Sequence, residues 1–137
     1  MIATFTALLF AHVVADFILQ TARMVQTKRN VTTLALHAAL VLASAQAALG
    51  HIAAPEILLL ALAHITIDAL KTYGGFRSFT AFCTDQLAHL ITIGAVAYFA
   101  PALWDNGAWS DIPNALPLVA IATGFIITLY AGQHAIA

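Results

Sequence analysis

The chain has 137 residues, of which 62% are hydrophobic and only 8% charged, whereas a soluble globular domain carries about 25% charged residues. Mean hydropathy is +0.93 and the mass 14.5 kDa, so five basic and six acidic side chains cannot wet the surface of a soluble fold, and there is no basic stripe to neutralise nucleic-acid phosphates. These figures exclude a soluble domain, a disordered chain and a nucleic-acid binder. They leave an all-α integral membrane protein, a single domain over residues 1–137, with little mass outside the bilayer.

About 20 apolar residues cross a bilayer as a helix, and five stretches approach that length. The first is expected from Ile2 to about Gln20 and the second from about Thr32 to Leu49. The third begins at Pro55, a favoured first helical position, and ends near Lys71. The fourth runs from about Phe79 to Ala100 and is stopped by Pro101. The fifth runs from about Leu116 to Ile136. The first basic residue is Arg23, so the positive segment that opens a secretory signal is missing and span one is expected to stay as a helix. Cys83 is the only cysteine. It excludes an intrachain disulfide and reads as a small apolar filler.

Loop charge sets the orientation. Arg23, Lys28 and Arg29 lie between spans one and two, and Lys71 and Arg77 flank the Gly74-Gly75 turn between spans three and four. All five basic residues fall on one side, which the positive-inside rule makes cytoplasmic. Glu56, Asp105 and Asp111 fall on the other side, with Trp104 and Trp109 placed for an interfacial aromatic belt. The N-terminus is expected outside, the C-terminus inside.

An ionisable side chain inside a spanning helix costs roughly 2.5–3.5 kcal/mol on insertion scales, so such residues mark function by default. Span one carries His12, Asp16 and Gln20, four apart and so on one face. Span two carries His37, span three His64, Asp68 and Lys71, and span four Asp85, Gln86 and His89. His134 lies at the end of span five. At about 1.5 Å per residue, Asp16, His37, Asp68 and Asp85 fall about 5–9 Å below the cytoplasmic ends, and His12, His64 and His89 about 10–15 Å. Seven groups from four helices thus share one layer facing the bundle interior. Each has a blander role open to it: a buried His as hydrogen-bond partner, Asp68 paired with Lys71 at i and i+3, Gln20 and Gln86 as interhelical contacts. Three buried aspartates, on the order of 9 kcal/mol at central-position values, exceed what packing specificity usually justifies.

Offsetting the chain by 52 residues places His12 on His64, Asp16 on Asp68, Thr32 on Thr84 and His37 on His89 without a gap. Residues 1–50 and 53–100 therefore read as two parallel repeats, each a helical hairpin, about an axis along the membrane normal, with 116–137 an additional helix. Ala3, Ala7, Ala11 and Ala15 on span one, and Ala35, Ala39, Ala43 and Ala47 on span two, form small-residue stripes for close helix packing.

His and Asp at i and i+4 present two ligands on one helix face. His12, Asp16, His37, His64, Asp68 and His89 therefore read as a divalent-metal set suited to zinc, iron or manganese. Asp85 reads as a general base, and Lys71 as a holder of an anionic headgroup or phosphate. This chemistry describes metal-dependent hydrolysis of a lipid-like substrate. Three other classes use the same residues: a proton or ion path, a b-type haem between facing histidines, and an accessory subunit whose polar layer serves assembly with a membrane-protein partner or a second copy. Element content, proton flux, an absorption spectrum and co-purification separate them.

The motifs His12-x-x-x-Asp16-Phe17-x-Leu19-Gln20, His37, His64-x-x-x-Asp68-x-x-Lys71 and Asp85-Gln86-x-x-His89, spread over about residues 8–92, resemble the bacterial membrane-protein family known as domain of unknown function 3307. The resemblance implies a multi-pass protein of the bacterial inner membrane and supplies no activity.

Overall fold

The computed structural model describes residues 1–131, which form six helices and no strand. His134 and the end of the expected fifth span lie outside the described residues. Helix α1, Ile2–Val13, continues as a wider π-helical segment, Val14–Leu19, until Gln20 turns to extended backbone at ψ 98. A short helix that composition did not announce, α2 (Ala22–Thr27), follows. Then come α3 (Val31–Leu49), α4 (Pro55–Gly74), α5 (Phe79–Phe99) and α6 (Ala115–Ile126), the last with a π-helical extension, Ile127–Ala131.

The chain ends its helices by local chemistry. Thr21, Asn30 and Ser78 accept hydrogen bonds from the amides of Met24, Thr32 and Ala81 at the starts of α2, α3 and α5, which satisfies otherwise orphaned donors. Pro55 opens α4. Gly50 and Gly75 close α3 and α4 at φ 64 and 71, the left-handed conformation glycine adopts without penalty.

Helix α1 packs against α3, α5 and α6, and α4 packs against both α3 and α5. The four long elements thus enclose one interior. Each is long and apolar enough to cross a membrane, and the apolar helix Ala115–Tyr130 is shorter. What they enclose inverts a soluble bundle. Helix α5 buries Asp85 and His89 with Ile93 and Ala97, while Leu87, Ile91 and Phe99 are exposed at 57%, 62% and 83%. Helix α4 likewise buries His64 and Asp68 and turns Leu58, Leu59 and Leu62 outward. Leucine faces out and charge faces in, the arrangement hydrocarbon surroundings favour.

Away from the basic loops the interior is apolar: Leu8, Ala45, Leu49, Ile57, Leu60 and Ile93 pack with Leu103 and Trp104 of the 100–114 connection. Thr4 Oγ1 donates to the Pro101 carbonyl at 2.7 Å and lies 3.3 Å from the Trp104 amide. The Trp109 indole donates to the Ala47 carbonyl at 2.6 Å.

Three expectations are corrected. Trp104 is not in an interfacial belt but buried in the core at 5% exposure, because the connection folds back over the bundle end; Trp109 alone is partly exposed. Ala35, Ala39, Ala43 and Ala47 face outward, because the inward face of α3 is taken by Leu34, His37, Val41 and Ala45. The α1 stripe is inside, with Ala7, Ala11 and Ala15 buried. Cys83 is exposed rather than filling space, since it sits two residues, some 200° of helical turn, from inward-facing Asp85.

Candidate metal centre

The interior brings together residues from α1, its π-helical extension, α3, α4 and α5. His12, His37, His64, Asp68, Asp85 and His89 are buried at 1–7% exposure, and the Asp16 side chain at 8%. Asp16 projects from the π-helical segment, whose widened turn is closed by the Gln20 amide donating to the Ala15 carbonyl at 3.0 Å. Such turns occur frequently at functional sites.

Four atoms form the centre. His37 Nε2 and His64 Nε2 are 3.2 Å apart. Asp16 Oδ1 lies 3.3 Å from the first and 3.4 Å from the second, and Asp68 Oδ2 lies 3.3 and 3.6 Å from the same pair. A tetrahedral ion with arms of about 2.0–2.1 Å requires ligand separations of about 3.3–3.4 Å. Three of the five separations fall in that range and the 3.2 and 3.6 Å ones lie just outside it, and the donor atoms of Asp16, His37 and His64 all lie within 4.8 Å of one another. The two carboxylate oxygens are buried and make no aligned hydrogen bond, although imidazole nitrogens stand beside them. Neutral imidazoles bring at most one N–H each to this point and ionised carboxylates bring none, so among the described residues the one cation beside these oxygens is the Lys28 ammonium, 2.7 Å from Asp68 Oδ2.

His12 and His89 flank the centre. The His64 and His89 rings stack at 4.0 Å, and His12 lies 5.0 Å from His89 and 5.6 Å from His64. His12 Nε2 lies 3.3 Å from Gln86 Oε1. His89 Nε2 stands 3.8 Å from Asp85 Oδ1. Two further triads, His12 with His64 and His89, and Asp68 with Asp85 and His89, each have donor atoms within 4.8 Å of one another.

The expected Asp68–Lys71 pair is replaced. Asp68 Oδ2 contacts Lys28 Nζ at 2.7 Å, and Lys71 Nζ donates to Asp85 Oδ2 at 2.7 Å. Asp68 points into the bundle while Lys71 reaches across to α5, so one helix does not close the pair on itself. Asp85 is therefore not a free carboxylate but ion-paired. Lys28 is the functional-site residue that sequence reasoning missed: it registered only as a loop charge, and no spacing links it to Asp68, 40 positions away.

A cavity of about 550 Å³ opens from the centre toward the basic loops. Asp16, Asp68 and Asp85 lie on its wall, with Lys28, Arg29, Lys71 and Arg77, and Phe17, Phe76 and Phe82 supply apolar surface. In the other direction the histidines meet only a void of about 10 Å³ lined mainly by Leu8, Ala11, Val41, Leu60 and Ile93.

A buried His/Asp cluster enclosed by four long apolar helices defines the class of protein. Over residues 4–114 the chain matches the family described as "Protein of unknown function (DUF3307)", and it belongs to that family. No curated protein and no solved structure shows a significant match.

Proposed function

We propose that this chain is a membrane-embedded metalloprotein that hydrolyses a lipid-like substrate reaching the centre from the cytoplasmic side. One observation carries the reading: His37 Nε2 and His64 Nε2 lie 3.2 Å apart and each stands 3.3–3.6 Å from Asp16 Oδ1 and Asp68 Oδ2. Zinc, iron or manganese suits the mixed N/O set. A divalent ion there supplies Lewis acidity and an activated water. His12 and His89 complete or flank the ligand set, Asp85 handles the proton, and Lys71 holds Asp85 or the substrate's anionic group. In this reading the four long helices and a fifth span that includes the apolar helix Ala115–Tyr130 cross the bacterial inner membrane, the N-terminus lies outside, the C-terminus inside, and the basic loops face the cytoplasm. The repeat offset pairs α1–α3 with α4–α5, and each half contributes one His and one Asp to the four central atoms.

Two features favour this reading over its competitors. A proton or ion path needs polar groups across the bundle, yet the polar layer ends against Leu8, Leu60 and Ile93. A haem needs a slot between its axial histidines, and the four rings sit 4.0–5.6 Å apart where centroid distances define them. Element-resolved metal analysis of the purified chain is expected to find a transition metal at stoichiometric level. Its absence after reconstitution with zinc, iron and manganese would reject the metalloprotein.

A further inference from the structure

We infer that the cavity at the basic end is a binding site for a phosphate group carried by the substrate. It deepens the metal-centre reading and draws on it only for the ion's charge. Four of the five basic residues in the chain line this one cavity. A sidedness signal alone requires basic residues at the membrane surface, not their convergence above one buried cluster.

The charges there are unequal. Lys28 and Lys71 are held at 2.7 Å by Asp68 and Asp85. The Arg29 and Arg77 guanidiniums make no ion pair or hydrogen bond among the described residues, and both are exposed at the rim. Four cations against three carboxylates leave the wall at +1, and a divalent ion raises it to +3. That excess suits a phosphate monoester dianion, whose oxygens take bidentate guanidinium contacts and ammonium contacts together.

The donors also differ in exposure: Arg29 and Arg77 are exposed, whereas Lys28 and Lys71 are partly buried against Asp68 and Asp85. An ion held by Asp68 would weaken that carboxylate's hold on the Lys28 ammonium and leave it available to a phosphate oxygen. Gln20 supplies a further donor, since its amide nitrogen is buried with no hydrogen-bond partner and the residue lines the cavity. Phe17, Phe76 and Phe82 give an attached apolar chain a surface to lie on. The shared ligand chemistry is a phosphate monoester or free phosphate, from a lipid headgroup or from water.

The test uses the full chain in a phosphate-free maltoside detergent, with and without zinc, titrated calorimetrically with inorganic phosphate and with a short-chain phosphatidic acid below its micelle concentration. Wild type is expected to bind at least one probe, more tightly with zinc. Arg29→Gln/Arg77→Gln should weaken that binding at least tenfold while zinc content stays at the wild-type level. Tighter binding of the phosphatidic acid identifies a lipid source, and the reverse order a soluble one. If neither probe binds, or the double variant binds as wild type does, the phosphate site is refuted, and normal zinc loading in that sample leaves the metal centre standing. Arginine-dependent phosphate binding without stoichiometric zinc would instead keep the phosphate site and remove the metal centre.

Discussion

Asp68 is held by the Lys28 ammonium at the position where the proposed metal ion would bind. Its Oδ2 is 2.7 Å from Lys28 Nζ and 3.3–3.6 Å from two imidazole nitrogens. Without an ion, Lys28 supplies the positive charge that makes a buried carboxylate tolerable. Removing one partner of a buried pair costs about 3–5 kcal/mol, because it strands the other charge. Lys28→Met should therefore lower the melting temperature of the metal-free chain, and zinc should raise it by more than in wild type. Equal zinc-induced shifts in the two proteins would show that Lys28 does not stand in for an ion. Asp16→Asn and Asp68→Asn remove ligands rather than a competitor. Each should weaken zinc binding by more than the roughly 10–100-fold typical of an outer-shell change, measured by chelator competition. Full metal content in both variants would make the layer structural. The sequence disclosed these carboxylates and histidines because charge inside an apolar span is conspicuous. It could not disclose Lys28, whose partner is chosen by tertiary folding.

Helix ends were legible where one residue dictates the backbone. Pro55, Gly75 and Pro101 each mark a boundary that the structure places within a few residues of the sequence reading. The π-helical turn at Val14–Leu19 was not legible, since its residues are as apolar as the α-helical turns before them. The α3 alanine stripe misled for a related reason. Small residues permit close packing, but His37, 3.3 Å from both Asp16 and Asp68, takes the face that turns inward. The 100–114 connection shows the same limit: its tryptophans suggested a surface belt, whereas contacts with α1 and α3 draw Trp104 into the core. Gly107 is the tightest point of that closure. A Cβ there would lie 1.8 Å from the Leu49 carbonyl oxygen, and backbone cannot yield as a side-chain tip can. Gly107→Ala should destabilise the chain by about 1–3 kcal/mol or more, the range of overpacking, read as a lower melting temperature. The folded fraction should keep its zinc content, because the change lies at the bundle end remote from the basic loops. Unchanged melting would mean that the connection does not pack as described.

At the scale of the molecule, the proposed sidedness and the proposed chemistry rest on the same side chains. Lys28, Arg29, Lys71 and Arg77 line the cavity, and with Arg23 they are the whole basic complement that the positive-inside rule reads. Under the proposed function, orientation would decide which compartment supplies the substrate, and it can be measured independently of binding. In a Cys83→Ser background, single cysteines at Ala22 and Asp111 place one thiol at each end of the bundle, at exposed positions. In intact bacterial spheroplasts a membrane-impermeant maleimide should label Asp111→Cys at once and Ala22→Cys only after permeabilisation. The reverse pattern would open the cavity to the outside, and labelling of both in intact spheroplasts would rule out the spanning topology. The same assay guards the phosphate experiment. Arg29→Gln/Arg77→Gln reduces the basic residues from five to three, so the variant risks inserting in mixed orientation. Calorimetry in detergent is indifferent to orientation, whereas any assay in cells or sealed vesicles is not. A phosphate defect seen in detergent, in a variant whose thiol labelling keeps the wild-type sidedness, therefore belongs to the cavity and not to topology.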